Sequence, residues 1–490
     1  MKNTFLLFLI TVFLLPIIEA KQKPNFLIIV VDDQGYADLS AFKHHAPDVH
    51  TPNMDRLAAR GILFTNAYTT APVCSPSRAG WNTGMHQVRW DPASSFNCWH
   101  PGNVKNIAEI MKENGYATAC FGKNDYGNAS IHKHNVREYP LNHGYDEFLG
   151  FSAHGHDYFL LSEDIEKRTP DPRGHSATVG PLMHNGGYKS FDEGYTTEIF
   201  TDATIDYLKL HREEPFFVKL SYNSVHHLIH QTPKKYLDKY GVKEIPDYDP
   251  ATMGKYAEWF KRYITLGEIT DDEMSRYYLA NLNCLDDNIG RVLDALDDLS
   301  LTNNTVVIFF SDNGGPPTTG ATNLPLSGSK FTLWEGGIRV PFILSRPNEP
   351  QAGKVFDIPV STLDVVPTCL SEAGIDIPDN LDGEIIPKTE KTITSGHERM
   401  LFWQWDKSYA ARIGDWKLLH KGGASNRQPC KGIKNQTELL QSTCLFNLKD
   451  NPSESINLYD KHPDIVKKIQ KEYENWKQNV VGSNINEVKK

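Results

Sequence analysis

Two short stretches of the chain are apolar without interruption and rich in β-branched residues. Asn25–Val31 reads Asn-Phe-Leu-Ile-Ile-Val-Val, and 305–310 reads Thr-Val-Val-Ile-Phe-Phe. Runs this short suit strands, and their lack of apolar–polar alternation means that both faces must be covered. Such strands belong to a parallel sheet with helices on either side. The chain supplies those helices. Leu282, Leu285, Ile289, Val292, Leu296 and Leu299 recur at three- and four-residue spacing within 271–301, the mark of a long amphipathic helix. Further helices are expected over 104–113, stopped by Asn114-Gly115, and over 196–211, with strands over 117–121 and 216–222. Another helix is expected to start near Asn53, read as its cap. The expected fold class is therefore α/β, a large mainly parallel central sheet flanked by helices. From about Thr389 the character changes. Short strand-like runs at 400–405, 410–413 and 416–420 precede a last helix near 463–478. Residues 390–490 are expected to form a smaller α+β subdomain beside a main domain of 21–389.

Both apolar runs end in oxygen ligands. Asp32-Asp33 follow the first, and Ser311-Asp312-Asn313-Gly314-Gly315 form the end of the second. Ligands of open α/β sheets gather at the carboxyl ends of strands. Adjacent carboxylates there repel unless a cation or a proton relieves them; the plainer alternative is a polar turn. Together Asp32, Asp33, Asp312 and Asn313 are hard oxygen donors that suit Ca2+, with Mg2+ second. Lys123 directly follows a strand, and Lys330 and Arg78 add positive charge. A lysine at a strand end is ordinarily a solvated charge, but a pocket with these cations suits a tetrahedral oxyanion.

Pro72-Val73-Cys74-Ser75-Pro76-Ser77-Arg78-Ala79-Gly80 sets a cysteine two residues before a proline and four before an arginine. If a helix starts here, Arg78 lies one turn beyond Cys74, and a nearby cation favours a reactive thiolate. The alternative is a buried structural cysteine beside a turn. Residues 151–195 are rich in Gly, His and Asp with weak periodicity, which reads as a long loop insertion. His154, His156, Asp157, His175 and His184 are its candidates for substrate contact, and their spacing fits no metal template. Asn223-Ser224-Val225-His226-His227 closes a strand, and a histidine there is a general-acid candidate or a surface residue. Trp90 and Trp99 either stack on a sugar ring or pack in the core.

Cys-x-Pro-x-Arg followed by Ala-Gly resembles the signature of the formylglycine-dependent sulfatases. Other stretches resemble the same family in the same order: Thr51 to Ala58, Phe64 to Tyr68, Gly122-Lys123, Asn223 to His226, Lys330 to Arg339, and Leu445 to Glu454. The resemblance implies an alkaline-phosphatase-like fold and a sulfuric ester hydrolase. It implies that Cys74 is oxidised to formylglycine by a formylglycine-generating or anaerobic maturation enzyme. The hydrate would rest one hydroxyl on a metal held by Asp32, Asp33, Asp312 and Asn313, making residue 74 a ligand as well, and would attack sulfur. Arg78, Lys123 and Lys330 complete the expected catalytic set. His226, with Lys330, is expected to protonate the departing alcohol, and Asp312 to serve as base. Substrate contacts are expected from Lys123, His226, Lys330, His154 and His156. This chain departs from the family in three places. The family's Gly-Lys-Trp-His-Leu-Gly reads Gly122-Lys123-Asn124-Asp125-Tyr126-Gly127 here. Asp125 thus stands where a histidine contacts the formylglycine hydroxyl, and either Asp125 or another side chain such as His132 takes that role. The usual Asn-Ala-Pro-His lacks its proline, which leaves His226 and His227 as alternatives. Ser329 replaces a glycine.

The chain has 490 residues and a net charge of −10 without long blocks of one sign. That balance argues against nonspecific nucleic-acid binding. Residues 1–20 read as a secretory signal: Lys2, then an apolar core interrupted by Pro16, then Ala20. The stretch is short for a membrane span, so an exported protein without a membrane anchor is expected, periplasmic or secreted. Among the seven cysteines, Cys430 and Cys444 are the expected disulfide pair, and Cys120, Cys284 and Cys369 are expected to be buried thiols. The expected partner is a sulfated carbohydrate. Two alternatives stand beside this reading: a phosphoester or phosphonate ester hydrolase of the same superfamily, and a non-catalytic protein that binds sulfated glycans.

Overall fold

The computed structural model describes residues 23–94, 98–125, 137, 139–162, 179–246, 248–249, 251–254, 270–389, 398–422 and 442–481. The signal-like stretch 1–20, His132, His175, Cys430 with its pairing, and the boundary at 390 lie outside the described residues.

The strands of the main domain are β1 (Asn25–Val31), β2 (Ile62–Tyr68), β3 (Ala117–Lys123), β4 (Glu147–Phe151), β5 (Leu182–His184), β6 (Gly187–Lys189), β7 (Phe216–Ser221), β8 (Thr305–Ser311), β9 (Phe342–Ser345) and β10 (Lys354–Ser361). They form one ten-stranded sheet in the order β10-β2-β9-β8-β1-β7-β3-β4-β5-β6. β1 runs parallel to β7 and β8, and β3 runs parallel to β7 and β4. β9 is antiparallel to both of its neighbours, as β5 is to β4 and β6. The expected α/β class with a mainly parallel sheet is what the chain adopts.

Every residue of β1 and β8 is buried, and the alternation of side chains explains how. Leu27, Ile29 and Val31 join one core, with Leu285, Ile289 and Val292 of the long helix Asp271–Asp298 and Phe200 of the helix Thr196–Leu210. Phe26, Ile28 and Val30 join the other, with Trp81 of the helix Cys74–Thr83, Ile107 of the helix Ile107–Glu113 and Val366 of the helix Val365–Ala373. A sheet sandwiched this way presents its loops, and thus its chemistry, only at the ends of the strands.

The C-terminal strands are β11 (Met400–Trp405), β12 (Ser408–Ile413), β13 (Trp416–His420) and β14 (Thr443–Asn447), a separate four-stranded antiparallel sheet in sequence order. The helix Pro463–Val480 covers one face through Val466, Ile469 and Tyr473. The other face packs on the main domain.

Several local expectations are corrected. The first helix is Pro52–Arg60 with Thr51 at its cap position. Asn53 is no cap; its N–H donates to Asp286 of the long helix at 3.0 Å, so a carboxylate from elsewhere does the capping. The 104–113 helix begins only at Ile107, because Asn106 and Glu109 close a capping box there. The supposed loop 151–195 contains the β5–β6 hairpin, which extends the sheet edge. β2, β4, β9, β10 and β14 were not legible as strands. Cys120, Cys284 and Cys369 are buried and carry no disulfide, as expected.

Candidate active site

The parallel strands deliver their C-terminal residues to one edge. Val31 and Ser311 are partners in register, so Asp32-Asp33 and Asp312-Asn313 emerge side by side. All four are buried. The Asp33 N–H donates to Asp312 Oδ1 at 3.2 Å, and Asn313 Nδ2 donates to Asp33 Oδ1 at 2.6 Å. Asp33 has a φ of +66° and Asp125 a φ of +45°. Both carboxylates therefore stand on left-handed backbone, a conformation that non-glycine residues adopt at a cost and that clusters at functional sites.

Three cations neutralise these carboxylates. Lys123, at the end of β3, donates from Nζ to Asp32 Oδ2 at 2.7 Å and lies 3.1 Å from Asp125 Oδ2. Lys330 Nζ lies 2.7 Å from Asp33 Oδ1 and donates to Asp33 Oδ2 at 2.8 Å. Arg78 Nε donates to Asp312 Oδ2 at 2.8 Å, and its Nη1 donates to Ser221 Oγ at 2.6 Å and to the Lys123 carbonyl at 3.2 Å. Burial pushes the Asp32 and Asp33 carboxyls up, and the neighbouring ammoniums of Lys123 and Lys330 oppose it. Burial works against the Lys123 ammonium too, but Asp125 and Asp32 overcome it and raise its pKa. For Asp125 the balance is reversed: burial disfavours the carboxylate, yet Lys123 and His154 together hold it well below the usual range.

The helix does start at Cys74. The residue is 3% exposed. Sγ, one Asp125 carboxylate oxygen and one His154 ring nitrogen lie within 4.8 Å of one another, and His154 Nδ1 is 2.8 Å from Asp125 Oδ1. The expectation of a thiolate is corrected here. Burial pushes the Cys74 thiol well up and Asp125 adds to this, outweighing Lys123 and Lys330. As a bare cysteine, residue 74 is held as a neutral thiol, a poor nucleophile.

Of the two adjacent histidines, His226 is the one that reaches the carboxylates, with Nε2 3.5 Å from Asp33 Oδ2; His227 Nδ1 lies 3.3 Å from that same nitrogen. Burial, then His227 and Lys330, hold His226 neutral. His156 is not brought to this cluster. It is buried against Phe151, with Nδ1 2.8 Å from the Asp157 carbonyl. Asp157 instead receives Gln231 Nε2 at 2.8 Å, and Gln231 Oε1 accepts from the Tyr158 N–H at 3.0 Å, tying the His154 loop to the His226 loop. Trp90 is buried and donates to the Trp99 carbonyl at 2.9 Å, the core reading of that residue. Ser221 and Gln231 escaped the sequence reading because one is a strand residue without a motif and the other a lone amide in a loop.

Lys330 sits on a loop with no room to move. A Cβ on Gly337 would lie 2.0 Å from the Thr332 carbonyl oxygen and 2.5 Å from that of Ser329. Gly337→Ala is expected to destabilise the protein by about 2 kcal/mol through overpacking, measured by urea unfolding; an unchanged midpoint would mean that this loop yields.

The family described as Sulfatase matches residues 24–375, and the C-terminal region of aryl-sulfatase matches residues 395–490. Arylsulfatase J of Mus musculus is 29% identical over 494 residues, covering 91% of this chain and 75% of that protein. N-acetylgalactosamine-6-sulfatase of Homo sapiens is 27% identical over 432 residues, covering 80% of this chain and 73% of that protein. Among solved structures, Ps i-CgsB in complex with k-i-k-neocarrahexaose is similar, with a TM-score of 0.74, 27% identity and coverage of 94% of each chain.

Proposed function

Because this chain belongs to the sulfatase family and is a sulfuric ester hydrolase, we propose that it removes sulfate from a carbohydrate outside the cytoplasm, with Cys74 as formylglycine for its nucleophile. The observation that carries the reading is the convergence of Cys74 with Lys123, Lys330 and Arg78 on one strand edge. Such a cluster of cations fits a sulfate group and the charge that develops on it during transfer. The carbohydrate is supported by the likeness to Ps i-CgsB, solved with a neocarrahexaose. Export is supported by the signal-like residues 1–20. Among the described residues no helix is long and apolar enough to cross a membrane.

The residues at the strand ends fit a divalent metal. Asp32 Oδ1 and Asn313 Oδ1 are buried and have no hydrogen-bond partner, a costly arrangement unless a cation takes them. With Asp33 and Asp312 they make an all-oxygen donor set, which suits Ca2+. A bound ion would lower the proton affinity of a hydroxyl at residue 74 and share the sulfate's charge. The chain's own residues do the rest. Asp125, which has a carboxylate oxygen within 4.8 Å of the Cys74 Sγ, is the acceptor assigned to a proton from residue 74, in place of Asp312, whose oxygens hold Arg78 and the Asp33 N–H. Lys123 and His154 orient Asp125. His226 and Lys330 face the leaving alcohol.

Two experiments test this. The mass of the Cys74 peptide from native-host protein, followed by turnover of matched sulfate and phosphate esters and a panel of sulfated oligosaccharides, tests nucleophile and substrate. An unmodified thiol in active enzyme would overturn the nucleophile, and no oligosaccharide turnover the substrate class. For the metal, Ca2+ at a hundredfold excess over its Kd is expected to stabilise the protein by about 2.7 kcal/mol, read as a rise in Tm. Asn313→Ala should lose most of that rise. A wild-type Tm indifferent to Ca2+ would remove the assignment of that ion.

A further inference from the structure

The nucleophile loop and the Lys330 loop share an apolar cluster with the C-terminal sheet. Val73, Cys74 and Trp334 lie in it with Trp403, Trp405 and Phe446. Trp403 Nε1 donates to the Thr69 carbonyl at 2.7 Å. Charged groups are buried beside these rings. Lys417 Nζ lies 2.9 Å from Glu335 Oε1 and 2.9 Å from Glu454 Oε1, and all three side chains are 0% exposed. The second Glu454 oxygen accepts the Glu335 N–H at 2.7 Å. Glu335 Oε2 accepts from Tyr68 Oη at 2.7 Å, and Arg412 donates to that same phenol.

A buried ion network is a poor source of stability, since well-packed apolar residues often do as well or better. What it supplies is a defined position for Glu335. From there the path to Lys330 is short and stiff. The Gly336 N–H donates to the Ser327 carbonyl at 2.7 Å, and Ser327 Oγ donates to the Ser453 carbonyl at 2.5 Å. The Phe331 N–H donates to the Pro72 carbonyl at 2.9 Å. The close approach at Gly337 leaves no slack between Glu335 and residues 329–332.

We propose that Lys417 and Glu454, from the C-terminal subdomain, are positioning residues for Lys330, acting through Glu335 on the loop 327–334. The inference rests on the sulfatase reading only for what Lys330 does once in place.

The test is a double-mutant cycle with Lys330. Glu454→Ala is expected to lower kcat/KM for an aryl sulfate by about tenfold or more, since misplacement by an ångström costs up to about a hundredfold. Glu454→Gln, whose amide oxygen still accepts the Glu335 N–H but whose NH2 then faces the Lys417 ammonium, should lose less than Glu454→Ala, and a loss as large as that of Glu454→Ala would put the positioning on the Lys417 pair alone. Glu454→Ala added to Lys330→Ala should cost no more than Lys330→Ala alone. Additive losses would overturn the proposal, because a general structural defect does not depend on Lys330. Independently of turnover, the amides of 327–334 should exchange faster in Glu454→Ala while those of β1 do not; unchanged exchange also overturns it. If Glu454→Ala does not fold, Ser327→Ala removes a single bond in the same path. It should give a loss of about threefold that vanishes in the Lys330→Ala background, and a loss that persists there overturns the proposal. A wild-type enzyme without sulfate-ester turnover would overturn the functional reading, and the exchange comparison would still decide the positioning.

Discussion

Cys74→Ala is expected to lower kcat/KM for an aryl sulfate by about 10⁴-fold or more, with a cost to the fold of about 1 kcal/mol. The contrast between the two numbers is the point. Cys74 is a small buried side chain at the start of a helix, packed on a sheet that has many other apolar contacts. Its removal takes away one sulfur from the packing. Its neighbours Lys123, Lys330 and Arg78 are cations in ion pairs with Asp32, Asp33 and Asp312, and a protonated ammonium or guanidinium has no free electron pair with which to attack. Stopped-flow or long-time steady-state assays on the variant, with urea unfolding beside them, read both quantities. Residual activity at a tenth of wild type would place the nucleophile elsewhere.

Lys123→Met has the second large effect, and this one falls on stability. Lys123 is 0% exposed and stands between Asp32 and Asp125. Methionine keeps the stem and deletes the charge, leaving two buried carboxylates short of their partner. Breaking one member out of a buried ion pair costs about 3–5 kcal/mol, so the urea midpoint at neutral pH should fall accordingly. The double variant Lys123→Met/Asp125→Asn should recover part of the loss, because it neutralises one of the two stranded groups. A loss below about 1 kcal/mol would show that the carboxylates are relieved without Lys123.

β1, β3, β7 and β8 were legible because their chemistry is local. A run such as Phe26 to Val31 has one sensible fate, and Asp32-Asp33 after it announce a strand end. β9 and β10 were not legible for the opposite reason. β9 is a four-residue run whose direction is set by its neighbours, and β10, at the sheet edge, has no regular alternation of exposed and buried residues and a register shift between Phe356 and Pro359. The motif around Cys74 pointed to a nucleophile through resemblance, while its electrostatics could not be read ahead of burial. Lys123 and Asp125 sit two residues apart in sequence, yet what holds Asp125 ionised also includes His154, carried in by the turn after β4. His154 and His156 looked equivalent in sequence. A two-residue step sends one to Asp125 and the other against Phe151. Nothing in the sequence tied Lys417 and Glu454 to Lys330; that connection exists only because β13 and the segment after β14 fold back on Glu335.

The burial of Cys74 also sets a timetable. A modifying enzyme must take the thiol into its own catalytic cleft, and a residue 3% exposed, in one buried cluster with Trp403 and Trp405, cannot be handed over by the finished protein. Trp403 and Trp405 of β11 and Phe446 of β14, which share that cluster, leave the ribosome after the Cys74 motif does. If Cys74 becomes formylglycine, the opportunity for that oxidation lies between the appearance of the motif and the docking of the C-terminal sheet. On that proposal, a chain that folded before oxidation would be locked into an inert form, and the yield of active enzyme would become a race between maturation and folding.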